Sequence, residues 1–242
     1  MLHANRNKQR RRRKNITTIE KKPKFLSFGG NLRILQKKEC EDIHGAVLDI
    51  LSDIGISHAS NKTHDIAVHN GVKSKNGRLY FPKSLIEDAI SALSRPTVLN
   101  GQKSENDLQI TGREIYFGTG GATPTILDHK TNIFQETTLK DLYDNACLIE
   151  QLENVDFFSR TVIARDLKTQ RDLDLNTAFA CLRGTTKHIM TSITDAEDVK
   201  SIVGMLEDIH SLNSNLRHKN LISLNTNHIV SPLRFDPKSC DV

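Results

Sequence analysis

The sequence predicts an α/β protein: about the first half of a (β/α)8 TIM barrel, preceded by a small α+β N-terminal region. Three observations carry that prediction. From Ile115 onward, strand-like and helix-like stretches alternate at spacings of about thirty residues, the rhythm of parallel βαβ units. The run "GTGGATP" lacks the G-x-G-x-x-G spacing of a dinucleotide site and enters a second strand instead of a helix, which sets a doubly wound sheet aside. About 130 residues follow position 112, half of the ~250 that a complete barrel takes. The expected division is a basic tail over 1–30, an α+β region over 31–111 and a half-barrel over 112–242.

Each element has a local reason. "LRILQKKECEDIHGAVLDILSDIGI" places Ile43, Val47, Ile50, Leu51 and Ile54 at helical spacing, stopped by Gly55. "GISHASNKTHDIAVHN" reads as a polar loop in which His58, His64 and His69 stand at irregular spacing. "KSKNGRLYF" reads as a hairpin turning at Asn76-Gly77. "FPKSLIEDAISAL" opens a helix at Pro82, with Ile86, Ala89, Ile90 and Leu93 on one face. "IYFGTGG" and "TILD" are strands. "TLKDLYDNACLIEQLEN" is a helix with Thr138 and Asp141 at capping-box spacing and Leu139, Leu142, Ala146 and Ile149 facing inward. "VDFFSRTVI" is the next strand, then "LDLNTAFACLRGTTK" a helix burying Leu175, Ala178, Phe179 and Leu182 and ended by Gly184. "HIMTSI" is a strand. "TDAEDVKSIVGMLEDIHS" is a helix opened by Thr194 and Glu197, with Val199, Ile202, Val203 and Leu206 buried, and "NLISLNTNHIV" is the last strand.

Composition narrows the function classes. The net charge is +5, but the excess sits in "NRNKQRRRRKN" near the start, a block that reads as a solvated tail and alone would support nucleic-acid binding. No apolar run follows it as in a secretory signal, and no stretch approaches the ~20 apolar residues of a membrane span. Cys40, Cys147, Cys181 and Cys240 stand far apart with no C-x-x-C pair, a reduced, cytoplasmic usage without a disulfide framework or a zinc site.

Barrel sites form at the C-terminal ends of strands and in the loops that follow. That rule selects Thr119, Gly120, Gly121, Ser159, Arg160, Thr191, Ser192, Asn225 and Asn227 as substrate-binding candidates. Each has a plainer alternative. The glycines suit either a tight turn or a close backbone approach to a ligand. Thr191 and Ser192 offer hydroxyls at a helix start, and Asn225 and Asn227 lead into a turn before Pro232. Arg160 suits a carboxylate, or an ion pair with Asp156 or Asp166. Of the strand-flanking histidines, His188 precedes a strand and His228 lies near a strand end. No Ser-His-Asp or paired-carboxylate order is evident, so the catalytic residues stay unassigned.

Six blocks in order, "ECEDIHGAVLDILSDIGI", "LYFPKSLIEDAI", "IYFGTGGATPTILD", "TTLKDLYDNACLIEQLENVDFF", "LDLNTAFACLRGTTKHIMTS" and "LISLNTNHIVSPLRF", cover nearly everything from about residue 30 onward. With these the sequence resembles the trimethylamine methyltransferase superfamily, corrinoid-dependent methyltransferases acting on trimethylamine, glycine betaine and related quaternary amines. The resemblance implies a barrel that accepts a methylated amine and passes a methyl group to the cobalt of a corrinoid (cobalamin) carried by a separate protein, with no cofactor bound directly. A quaternary ammonium prefers aromatic faces, which makes Phe117, Phe157 and Phe158 candidates. Family members continue for about another half-barrel, and the pyrrolysine position of trimethylamine-specific members would lie in that part. The expectation is therefore a C-terminally truncated chain, completed by a second chain, or else a catalytically inactive remnant with at most a binding role. No membrane and no nucleic-acid partner is expected.

Overall fold

The computed structural model describes residues 27–29, 32–93, 97–110 and 112–242. The basic block of the expected tail lies outside them. The described chain opens with β1 (Ser27–Phe28) and then α1 (Lys37–Asp49), where the Gln36 N–H donates to Glu39 Oε2 at 2.7 Å. A wider, π-type turn over Ile50–Ile54 follows and ends at Gly55. Gly55 has φ 67°, and a Cβ there would overlap the Leu79 carbonyl, so both its backbone and its surroundings require glycine.

β2 (Ile56–Ser57) leads to α2 (Asn61–His69), which corrects the polar-loop expectation. Ser60 Oγ accepts from the Thr63 N–H at 3.2 Å and so caps the helix. His64 and His69 ride on the helix, and His58 precedes it. The hairpin of β3 (Lys73–Lys75) and β4 (Arg78–Tyr80) turns where predicted, with Asn76 and Gly77 at φ 51° and 70°, the positive pair that a two-residue hairpin turn demands. α3 (Lys83–Ser91) starts behind Pro82. β5 (Thr97–Leu99) and β6 (Leu108–Ile110) pair antiparallel, and β7 (Glu114–Ile115) pairs antiparallel with β1.

The expected strand over 115–121 is regular only in β7. Beyond it the chain touches its neighbour through single parallel bridges, Gly118 to Phe157 and Thr123 to Val162. A hairpin of β8 (Thr125–Asp128) and β9 (Ile133–Glu136) then precedes α4 (Leu139–Glu150). α4 has the predicted capping box: Thr138 Oγ1 accepts from Asp141 N–H at 3.2 Å and Asp141 Oδ2 accepts from Thr138 N–H at 2.8 Å. Next come β10 (Phe157–Ser159), α5 (Gln170–Gly184), β11 (His188–Ser192), α6 (Ala196–Leu212) and β12 (Ile222–Asn225). β13 (Ile229–Val230), β14 (Arg234–Phe235) and the short α7 (Pro237–Asp241) complete the chain.

β10, β11 and β12 form a parallel sheet in chain order, with Phe158 beside Ile189 beside Ile222. These three, with Leu142 and Ala146 of α4, Ala178 and Cys181 of α5 and Ile202 of α6, are buried in one apolar cluster. Alternation along each strand therefore sends one side to the helices and leaves the other open. β13 and β14 extend a second sheet, ordered β13-β14-β2-β4-β3, and so tie the segment after β12 to the N-terminal region. The protein is mixed α/β with several small sheets, none closed into a barrel among the described residues.

Two burial expectations need correction. Phe179 is 54% exposed and Val203 44%, because each sits on the outer side of its helix while Ala178 and Ile202 take the core side. Ile90 and Leu93 of the α3 region are also exposed. α6 is capped by Asp195, whose Oδ1 accepts from Glu197 N–H at 2.9 Å. The Thr194 N–H is held instead by Asp174 Oδ2 at 3.1 Å.

Candidate functional site

The register of the parallel sheet sorts the sequence-selected residues. Ser159 lies beside Met190 and Met190 beside Ser223, while Ser192 lies beside Asn225. This row alternates with the buried Phe158, Ile189 and Ile222, so it belongs to the open face. Thr119 joins it: its Oγ1 donates to Ser159 O at 2.5 Å and accepts from Ser159 N–H at 2.8 Å. Thr119, Ser159, Ser192 and Asn225 thus stand together as neutral donors and acceptors toward the strand ends. Asn227 follows, exposed. Between the two asparagines, Thr226 Oγ1 is buried with no hydrogen-bond partner among the described residues.

Arg160 and Thr191 fall on the other side. Thr191 is 4% exposed and in register with Leu224, against the helices. The Arg160 N–H donates to Met190 O at 2.9 Å, and its charge acts on α5, favouring the ionised forms of Asp174 and Cys181. Burial outweighs it at both, pushing the Asp174 carboxyl up and the Cys181 thiol up to about 12. The named alternatives for Arg160 have other ties: Asp156 Oδ2 accepts from Phe117 N–H and Asp166 Oδ1 from Leu139 N–H.

The three glycines divide as well. A Cβ on Gly118 would fall inside the Phe157 ring, so this glycine serves close packing. Gly120 and Gly121 have nothing within 4 Å of a built Cβ, so packing does not require them. Of the aromatic candidates Phe158 is fully buried, Phe157 half-buried and Phe117 58% exposed.

The opposite, N-terminal end of the sheet holds "GTTKH", of which the sequence reading weighed only His188 for a role. Glu150 accepts from Thr186 N–H, Thr186 Oγ1 and Thr185 Oγ1, each at 2.8 Å. Burial pushes the Glu150 carboxyl up, but these bonds together hold it below the usual range. Lys187 Nζ donates to Ile149 O, Leu152 O and Val155 O at 2.6, 2.7 and 2.6 Å, adding a charged donor to carbonyls at and after the end of α4, two of which also accept backbone N–H bonds from Leu152 and Val155. The buried His188 contacts Asn100 O at 2.9 Å through Nδ1 and Ser223 Oγ at 2.7 Å through Nε2. A carbonyl only accepts, so the neutral ring carries its proton on Nδ1. Burial lowers the His188 pKa. The signal for this latch was present: Gly184, predicted to end α5, precedes four consecutive polar residues. A Cβ on Gly184 would stand 2.5 Å from that of Ala146, so α4 and α5 meet there closely.

Two cavities lie away from the strand-end row. One of about 610 Å³ lies at the latch, between Phe179, Leu182, Met205 and Ile209. The other, about 470 Å³, is lined by Ile66, Val72, Phe81, Leu85 and Phe235. Neither includes the strand-end row. Among the described residues no group of three or more His, Cys, Asp or Glu could hold a metal ion, and no helix is long and apolar enough to cross a membrane.

Comparison with known proteins adds a family. The model of the family described as "Trimethylamine methyltransferase (MTTB)" matches residues 3–242. The chain is 24% identical over 199 residues to the trimethylamine methyltransferase MttB of Desulfitobacterium hafniense, covering 81% of this chain and 40% of that one. It is 31% identical over 166 residues to MttB of Methanosarcina barkeri, covering 66% and 33%. With the glycine betaine methyltransferase of Desulfitobacterium hafniense (strain Y51) it shares 21% over 205 residues, 85% and 42% of the two chains. The chain thus spans 33–42% of the length of these relatives.

Proposed function

Because the chain belongs to the trimethylamine methyltransferase family, we propose that it supplies the donor side of a methyl transfer from trimethylamine, glycine betaine or a related quaternary amine. The acceptor is the cobalt of a corrinoid carried by a separate protein, which supplies a strong nucleophile when bound. The strand-end residues are neutral donors and acceptors. Their task is to bind and orient the ammonium for in-line attack. The observation that carries this reading is the gathering of Thr119, Ser159, Ser192 and Asn225 on one open face.

In this reading β10, β11 and β12, with the bridged segment at Gly118 to Thr123, are successive strands of a (β/α)8 barrel over 112–242, behind an α+β region over 31–111. Consecutive parallel neighbours in chain order support it. Gly120 and Gly121 leave room for the donor, and Asn225, Asn227 and the Thr226 hydroxyl orient a carboxylate or a water. Closing the barrel needs further strands, from a second chain or from one longer polypeptide, and the setting is the cytoplasm. A second reading, a chain that binds without turnover, draws on the same open face, which leaves the donor exposed to water on one side.

Calorimetric titration of the purified chain with glycine betaine and trimethylamine tests the proposal. Saturable binding weakened about tenfold in Ser192→Ala and Asn225→Ala, at unchanged circular dichroism, is expected. Binding indifferent to both substitutions would refute the site.

A further inference from the structure

The buried side of α5 carries a carboxylate where an apolar residue would be ordinary. Asp174, Thr177, Ala178, Cys181 and Leu182 fall at helical spacing on that side, and Asp174 is only 2% exposed. A carboxylate taken out of water costs free energy unless hydrogen bonds replace its hydration. Its retention on a core face therefore marks a task other than packing. Both oxygens are used. Oδ1 accepts from Gln170 Nε2 at 2.8 Å, one turn earlier on the same helix, and Oδ2 accepts from the Thr194 N–H at 3.1 Å. Of the charged groups around it, Arg160 after β10 favours the ionised form and Asp198 of α6 opposes it. Asp198 is itself taken by Arg171 Nη1 at 2.5 Å.

The bond to Thr194 matters because of where it lies. Ser192 is the last residue of β11 and stands in the strand-end row beside Asn225. On the β10 side, β11 accepts the Arg160 N–H at Met190 O, two residues earlier. Past that point the Ile193 N–H donates to Asn225 O at 3.1 Å, and the Thr194 N–H donates to Asp174. Ser192 and Thr194 are exposed, with the buried Ile193 between them. Ile193 thus anchors the middle of the turn and Asp174 its far end. A carboxylate suits this place, because it accepts from two donors at once. An amide of the same shape offers one acceptor and turns its NH2 toward the other donor.

We propose that Asp174 is a positioning residue for the donor site: from the helix side it fixes the turn after β11 and so holds Ser192 in the strand-end row. The inference rests on the reading of that row as the place where the donor binds.

Amide hydrogen exchange of the labelled 242-residue chain, beside calorimetric titration with glycine betaine, tests it. Asp174→Asn is expected to speed exchange at Thr194 about tenfold and to weaken glycine betaine binding about tenfold. Adding Gln170→Glu reverses the polarity of the pair: it gives the new amide NH2 an acceptor and frees the amide oxygen for the Thr194 N–H. The double variant is expected to recover slow exchange and the parent affinity. A merely structural loss in the core would not be rescued from Gln170, an exposed position at the start of α5. Unchanged Thr194 exchange in Asp174→Asn, faster exchange at the parent affinity, or a double variant that unfolds or keeps both losses would each overturn the proposal. A parent chain that binds no glycine betaine, with Thr194 exchange still responding to Asp174→Asn, would refute the donor-site reading instead and reduce Asp174 to a structural tie.

Discussion

Lys187 shows how one side chain holds a layer together. Its ammonium takes three carbonyls at 2.6–2.7 Å in a place only 7% exposed. Replacing it with methionine keeps the stem and removes three charge-assisted bonds, while Ile149 O and Leu152 O keep the N–H groups of Leu152 and Val155; the loss at Val155 O is about 1–3 kcal/mol. Lys187→Met should therefore lower the melting temperature by several degrees in calorimetry; an unchanged melting temperature would mean that water and the remaining N–H donors serve those carbonyls equally well. His188 and Glu150 give the latch a pH dependence of one sign. The folded state holds His188 neutral, with its pKa lowered from 6.5. Its contribution is complete above that unfolded value and is lost as pH falls through the folded one. Glu150 is lowered from 4.5, so its contribution is complete above about 4.5 and is lost on further acidification. Urea unfolding at pH 8, 6 and 4 should show stability falling at each step, with the upper step removed in His188→Asn.

At the scale of elements, the glycines following β7 separate packing from function. Gly118→Ala drives a methyl group into Phe157 and should cost about 1–3 kcal/mol. Gly120→Ala and Gly121→Ala meet open space and should stay within about 1 kcal/mol of the parent, while reducing donor binding if the ammonium sits against that backbone. Denaturant midpoints beside a binding titration distinguish the cases; equal destabilisation by all three would put the whole turn in the packing category. What the sequence made legible here was local chemistry. Asn76-Gly77 and the Thr138–Asp141 box act through their own backbone, and both stand where they were read. The misreadings arose where a tertiary partner decides. Asp174 takes the Thr194 N–H and leaves the cap of α6 to Asp195. The α2 segment reads as polar because His64 and His69, with His58 before it, mask Ile66 and Ala67, which line a cavity with Val72. Arg160 and Thr191 satisfied the strand-end rule by position; the register turns Thr191 toward the helices, and Arg160 acts on Asp174 and Cys181 of α5.

At the scale of the whole molecule, the three-stranded parallel sheet has one side packed by helices and one open side, and the 100–107 loop latches its N-terminal end. Gln102 Nε2 donates to Leu182 O and Thr185 O, and Lys219 Nζ to both oxygens of Asp107. Sequence blocks in fixed order identified the family, because strand and helix cores leave a strong pattern. They were silent on how the N-terminal region engages both ends of the sheet, which rests on pairings such as Arg234 with Ser57 that no periodicity announces. A donor lying on an open face lacks the dry surroundings that methyl transfer needs. The chain alone is therefore expected to bind but not to turn over with a corrinoid protein, and methyl-cobalt absorbance would reveal the contrary. The claim on which the account rests is that the donor binds at the C-terminal ends of the parallel strands. Backbone NMR of the isotopically labelled chain during a glycine betaine titration tests it most directly. Saturable shifts at Thr119–Gly121, Ser192 and Asn225, with Thr186 and Gln102 still, are predicted; shifts confined to the Thr186 end, or none at all, would contradict it.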